Sequence, residues 1–144
     1  LSMSIRKYLI TILTFLIFSI SFSSDNHSHE KNNETLGMSK TTWRLEYISG
    51  NTASGKNITL DISGDRMNGF SGVNTYSTNY TLKMDDVSIS RIGSTKKAGP
   101  KELMDFENFY LNHLQRVKKL ISNTDELIFL TDKNEVLIFR AHKH

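Results

Sequence analysis

From Thr42 onward the chain alternates apolar and polar residues. Trp43, Leu45 and Tyr47 are separated by Arg44 and Glu46, so TWRLEYI reads as a strand with one face turned into a core. After the turn-rich SGNTASGK, Ile58, Leu60 and Ile62 alternate with Thr59 and Asp61, which predicts a second strand over Asn57 to Ile62 that reverses at SGD. Arg66 to Phe70 forms a third. Gly69, Gly72 and Asn74 then mark a corner, since glycine and asparagine tolerate positive φ. Tyr76 and Tyr80 lead into a strand-like TLKM, and Val87 to Ile92 (VSISRI) adds a fifth alternating piece. LIFL at Leu127 to Leu130 and VLIF at Val136 to Phe139 flank the polar turn TDKNE as a closing hairpin.

Between the fifth piece and that hairpin the period changes. Leu103, Phe106, Tyr110, Leu114, Val117 and Ile121 recur at spacings of three and four, the single stripe of an amphipathic helix. Gly99-Pro100 is read as its cap and first residue. Glu102, Asp105 and Glu107 lie near the amino end and Arg116, Lys118 and Lys119 near the carboxyl end, as the helix dipole favours. With no second helix to cover the stripe, it must close against a sheet or a barrel mouth. The predicted fold is α+β and mostly antiparallel: a small barrel-like sheet of about seven to eight strands with one helix, over residues 41–141.

The first 40 residues follow different rules. Arg6 and Lys7 precede a charge-free, mostly apolar run from Tyr8 to Ile20, then Ser21, Ser23 and Ser24, the order of a secretory signal with cleavage expected after Ser23. At 1.5 Å per residue that run spans roughly 20 Å, short of the roughly 30 Å hydrocarbon core, so no permanent span is expected after cleavage. Residues 24–40 (SDNHSHEKNNETLGMSK) are too polar to bury the surface that ordering requires and read as a flexible linker. The chain has no cysteine, so an exported protein could use neither disulfides nor a lipidated first residue; the expected address is the periplasm or the medium. Net charge is +3, and without Arg6 and Lys7 it falls to about +1, which argues against a nucleic-acid footprint.

Several local patterns together resemble one family. Trp43-x-Leu45 opens the domain. Gly69-x-x-Gly72-Val73-Asn74, followed by Tyr76 and Tyr80, forms a distinctive corner, and Thr95-x-x-Ala98-Gly99-Pro100 precedes the helix. Glu107-x-x-Tyr110-x-x-x-Leu114 lies within that helix. Taken in order, these are similar to the META domain, the family of the heat-shock protein HslJ. The resemblance implies a small, barrel-like, mostly antiparallel domain found in envelope and secreted proteins linked to stress tolerance or motility, with no established catalytic activity. Val73 and Gly99 stand where the family usually has cysteines. Their joint replacement suggests that the two positions are neighbours, and it removes any redox role for the pair.

Candidate chemistry is sparse. The Gly69 to Asn74 loop has neither the Lys-Ser/Thr of a phosphate cradle nor a third glycine opening a helix, so it reads as a structural corner whose Asn74 bonds backbone groups. His113 lies in the helix between stripe positions 110 and 114 and is expected to be partly buried at the edge of the apolar face, a structural residue without a serine or carboxylate partner identifiable from sequence. His27, His29, His142 and His144 read as solvated tail residues, Asp85-Asp86 as a solvated turn, and Lys96, Lys97 and Lys101 as an exposed basic loop. Trp43, Tyr47, Tyr76, Tyr80 and Tyr110 could fill a core or line a cavity. The expectation is a non-catalytic exported domain without cofactor or metal, acting on an unknown protein partner; the alternative is a carrier for a small apolar ligand.

Overall fold

The computed structural model describes residues 41–142. The expected leader (1–23) and linker (24–40), with His27, His29 and His144, lie outside the described residues. The strands are β1 (Thr42–Ile48), β2 (Asn51–Thr52), β3 (Thr59–Ser63), β4 (Arg66–Phe70), β5 (Thr75–Lys83), β6 (Asp86–Ile89), β7 (Gly93–Ser94), β8 (Val117–Ser122), β9 (Glu126–Thr131) and β10 (Val136–His142). The single helix described, α1, spans Lys101–Gln115 and lies between β7 and β8. Strand order runs β10-β9-β8-β6-β5-β4-β3-β1, and β1 pairs with β10. The result is a closed antiparallel barrel of 8 strands, with β2 beside β1 and β7 beside β5. Closure removes the unpaired edge that an open sheet would expose.

Inward alternation builds the core. Trp43, Leu45, Leu60, Met67, Tyr76, Leu127, Phe129, Leu137 and Phe139 are all buried. Phe139 sits edge-on to Phe129 at 5.6 Å and to Tyr110 of the helix at 6.3 Å. The register slips between Leu45 and Tyr47, so Glu46 is an extra residue on β1. Ile48 therefore occupies the inward position that strict alternation assigns to Tyr47, and Tyr47 turns outward, half-buried.

Antiparallel order fixes two ends. The β4–β5 corner, the β9–β10 turn and the start of β8 lie at one mouth, and α1 closes it. The β3–β4, β5–β6 and β8–β9 turns lie at the other. The helix is shorter than its apolar spacing predicts. It stops at Gln115, with Arg116 at φ −98° and ψ 4°, and Val117 and Ile121 belong to β8. Leu120 pairs there with Phe129 and Ile121 with Ile128, so cross-strand packing of β-branched residues overrides a spacing that fits either structure. Pro100 is the N-cap rather than the first helical residue, and it makes no side-chain cap.

Candidate functional site

Most of the family-motif residues converge at the helix-covered mouth; Trp43, Tyr80 and Ala98 do not. Gly69 lets β4 press against β3, because a Cβ at this position would lie 2.1 Å from the Thr59 carbonyl oxygen. Gly72, at φ +115°, then turns the chain back through a conformation that L side chains rarely adopt. Ser71, Val73 and Asn74 thereby aim their donors at one point, and Glu107 fills it.

Glu107 Oε2 accepts from Ser71 Oγ (2.6 Å), the Asn74 amide (2.7 Å) and the Val73 amide (3.1 Å), and Oε1 accepts from Asn74 Nδ2 (2.8 Å). Burial raises the pKa of this carboxyl, but the bonds from Ser71, Asn74 and Val73 outweigh burial and hold it below the ordinary carboxylate range. The group is charged and its acceptor capacity is taken up. Asn74 uses all its side-chain capacity too: Nδ2 also donates to the Lys97 carbonyl (3.2 Å), and Oδ1 accepts from Thr95 Oγ1 (2.8 Å) and the Lys97 amide (2.7 Å). One asparagine and one glutamate thus tie together the corner, the segment after β7 and the helix. Sequence reasoning placed Glu107 among the residues favoured by the helix dipole; its burial shows a different role.

Beneath this knot, the buried Tyr76 and Tyr110 hydroxyls meet at 2.6 Å, and Tyr76 Oη donates to the Thr59 carbonyl at 2.8 Å. Tyr110 must therefore donate to Tyr76. Burial pushes both phenols well up, so neither ionises near neutrality. Leu114 is fully buried below them. Tyr80 lies nearer the opposite mouth, its hydroxyl donating to the Gly64 carbonyl at 2.9 Å, and Trp43 is a core residue whose buried Nε1 has no hydrogen-bond partner. Ala98 is exposed and outside the knot. The expected Val73–Gly99 proximity is present: a Cβ on Gly99 would sit 3.4 Å from that of Val73.

A second cluster holds the carboxyl end of the helix. His113 is buried; its Nδ1 lies 2.7 Å from the Phe109 carbonyl and its ring 4.3 Å from that of Phe109. Nε2 lies 3.5 Å from Glu135 Oε1. Arg116 Nη2 donates to Glu135 Oε2 at 2.6 Å, and Arg116 also pairs with Asp132 at 3.3 Å. The Arg116 bond lowers the Glu135 pKa against the opposing effect of burial, helped by the nearby His113 and by Thr131. His113 thus has a carboxylate neighbour that the sequence did not reveal. Glu135 sits in the β9–β10 turn, 22 positions along the chain, and no local spacing signals that approach. Gln115 was also missed: its amide bonds to Ile92, Ile89 and Ser90 where β6 leaves its ladder with β8 after one residue pair.

The remaining candidates do not assemble. Asp85 and Asp86 both pair with Lys119, at 3.4 and 2.7 Å. Lys101 pairs with Asp105, while Lys96 and Lys97 are exposed. None of these brings its side chain into either helix cluster; Lys97 joins the Asn74 knot through its backbone alone.

The family model of the META domain matches residues 35–144. An NMR structure of a protein from Burkholderia xenovorans is similar, with a TM-score of 0.60 at 23% identity over 87% of this chain and 100% of that one. The crystal structure of a DUF4847 family protein from Bacteroides vulgatus is similar in fold, with a TM-score of 0.54 at 12% identity over 72% of this chain and 93% of that one. No curated protein matches the sequence.

Proposed function

From the premise that this chain belongs to the META domain family, we propose that it is a non-catalytic exported domain that acts by binding in the cell envelope, in a stress-related role. The observation that carries this reading is the state of Glu107. Its bonds run to Ser71, Val73 and Asn74 within the fold, so this buried carboxylate is committed to structure rather than free to act as an acid or base. Interlocked Tyr76, Tyr110, Phe129 and Phe139 favour a packed interior over the alternative, a carrier with an apolar ligand in the barrel. The leader-like order of residues 1–23 motivates export.

The test is a set of measurements on protein recovered from its source. Sequencing of the mature amino terminus should begin near Ser24, the thermal midpoint should not move on chelation, and a broad hydrolase screen should show no turnover. Activity lost in His113→Ala but retained in a folded surface control would overturn the non-catalytic reading. An apolar molecule retained in native mass spectrometry would favour the carrier.

A further inference from the structure

The chain contains no cysteine, so reversible sulfur oxidation within it is methionine chemistry. Three methionines lie among the described residues, in three settings. Met67 is fully buried in the barrel core, and Met84 is 91% exposed in the β5–β6 turn. Met104, in the first turns of α1, is half-buried, and its sulfur carries a structural bond: Sδ accepts from the Gly99 amide at 3.3 Å.

That bond sits at a junction. Pro100 caps α1 without a side-chain bond, so the Met104 thioether ties the start of the helix to the segment that precedes it. Two residues upstream, the Lys97 amide and carbonyl both bond to the Asn74 side chain, and Asn74 holds Glu107. On its side-chain side Gly99 is closed off by Val73, since a Cβ there would lie 2.8 and 2.9 Å from the Val73 methyl carbons. Gly99 therefore has little room to move without moving its neighbours. A thioether sulfur is a weak acceptor. One of its two lone pairs faces Gly99, and the other remains for chemistry.

We propose that Met104 is a reversible modification site for peroxides, and that its sulfoxide releases Gly99 and loosens the Asn74–Glu107 knot. The free lone pair of Sδ attacks one oxygen of hydrogen peroxide, so that an S–O bond forms as the O–O bond breaks. The departing hydroxide takes the proton of the transferred oxygen and leaves as water; sulfur loses two electrons and the peroxide gains them. The sulfoxide sulfur is partly positive and no longer suits an N–H donor. Its oxygen is the stronger acceptor but lies a bond length away from where Gly99 points. Gly99 must then shift, and the displacement passes to Lys97 and Asn74. A dithiol reductant returns the thioether, the oxygen leaving as water while the two thiols join as a disulfide. This site goes beyond the binding role proposed above and is tested independently of it.

The experiment treats the folded full chain with hydrogen peroxide and locates each sulfoxide by peptide mass spectrometry. Met84→Leu and Met104→Leu are treated alongside, since cores tolerate exchange between these two residues. Met84 should oxidise first without moving the thermal midpoint, and Met67 should stay reduced. Oxidation of Met104 should lower the midpoint by about 5 °C, and methionine sulfoxide reductase with a dithiol should restore it. Met84→Leu should keep that drop and Met104→Leu should lose it. Amide exchange at Lys97 and Gly99 should quicken at least about tenfold more than at Arg116, which a uniform loss of stability would not produce. If Met104→Leu folds poorly, this exchange measurement on Met84→Leu decides. A Met104 that stays reduced in the folded chain would overturn the proposal. So would a drop that persists in Met104→Leu, or an oxidised Met104 with unchanged exchange at Gly99.

Discussion

Glu107 and Glu135 both fasten the helix to the barrel, by different physics. Glu107 is buried and is held by neutral donors, two of them backbone amides. Glu135 is half-exposed and is held mainly by the Arg116 cation. Removing the first strands several donors where water has little access; removing the second releases charges that solvent can reach. A buried carboxylate held by neutral donors is sensitive to geometry and little affected by salt, whereas exposed ion pairs contribute less and are screened. The amino-terminal half of the helix should therefore carry more of the stability, and four experiments can break or sharpen that contrast.

The largest effect is expected from Glu107→Ala. Ser71 Oγ, the Val73 and Asn74 amides and Asn74 Nδ2 would each lose an acceptor, at a combined cost of about 4 kcal/mol in chemical denaturation. A loss below about 1 kcal/mol would mean that water replaces the carboxylate and that the knot is not rigid.

Next comes pinning the same corner covalently. The 3.4 Å separation between a Cβ on Gly99 and that of Val73 is close to the spacing of natural disulfides. Val73→Cys with Gly99→Cys should oxidise spontaneously and stabilise the oxidised form by about 3 kcal/mol relative to the reduced form. The reduced variant should be weaker than wild type, because two unbonded sulfurs must share the space that the Val73 methyl groups fill beside Gly99 in the wild type. If no disulfide forms, the corner and the segment after β7 are not held as the knot requires.

That pair also shows what a sequence can reveal. Proximity of positions 73 and 99 was legible through the family resemblance, because both motif cysteines are replaced together. β1 and β4 were legible with the limits observed, while the apolar runs of the last hairpin mark only the centre of one longer strand, Glu126–Thr131, and the first four residues of another, Val136–His142. The carboxyl end of the helix was not, because Leu114, Val117 and Ile121 satisfy helical spacing while β9 is the partner that decides. The outward turn of Tyr47 depends on a bulge that no residue in TWRLEYI announces. At the candidate site, Asn74 was readable as a backbone-bonding residue. Its partner Glu107 was readable only as a motif position, since the bond spans 33 positions that only the closed barrel brings together.

Acid separates the two carboxylates by their surroundings. Both have folded pKa values below their unfolded ones, so each adds stability that is complete above the ordinary carboxylate range and is lost as pH falls through the folded value. Glu107→Gln should cost about 2 kcal/mol at neutral pH, because a carboxamide NH2 would face existing donors. It should also flatten the decline in stability between about pH 5 and pH 3. An unaltered acid limb would show that Glu107 titrates alike in both states and that its bonds do not discriminate between charged and neutral forms.

The smallest effect belongs to Glu135→Gln, and its salt dependence is the informative part. Arg116 keeps Asp132 as a second carboxylate, so no cation is left unpaired. At about 1 M salt the screening length shrinks to roughly 3 Å, and the difference between wild type and variant should largely vanish. The same salt should leave the Glu107→Ala loss almost unchanged, since its partners are neutral. If both losses shrink together, the knot at Glu107 is open to ions, and the contrast between a dry anchor and a wet one fails.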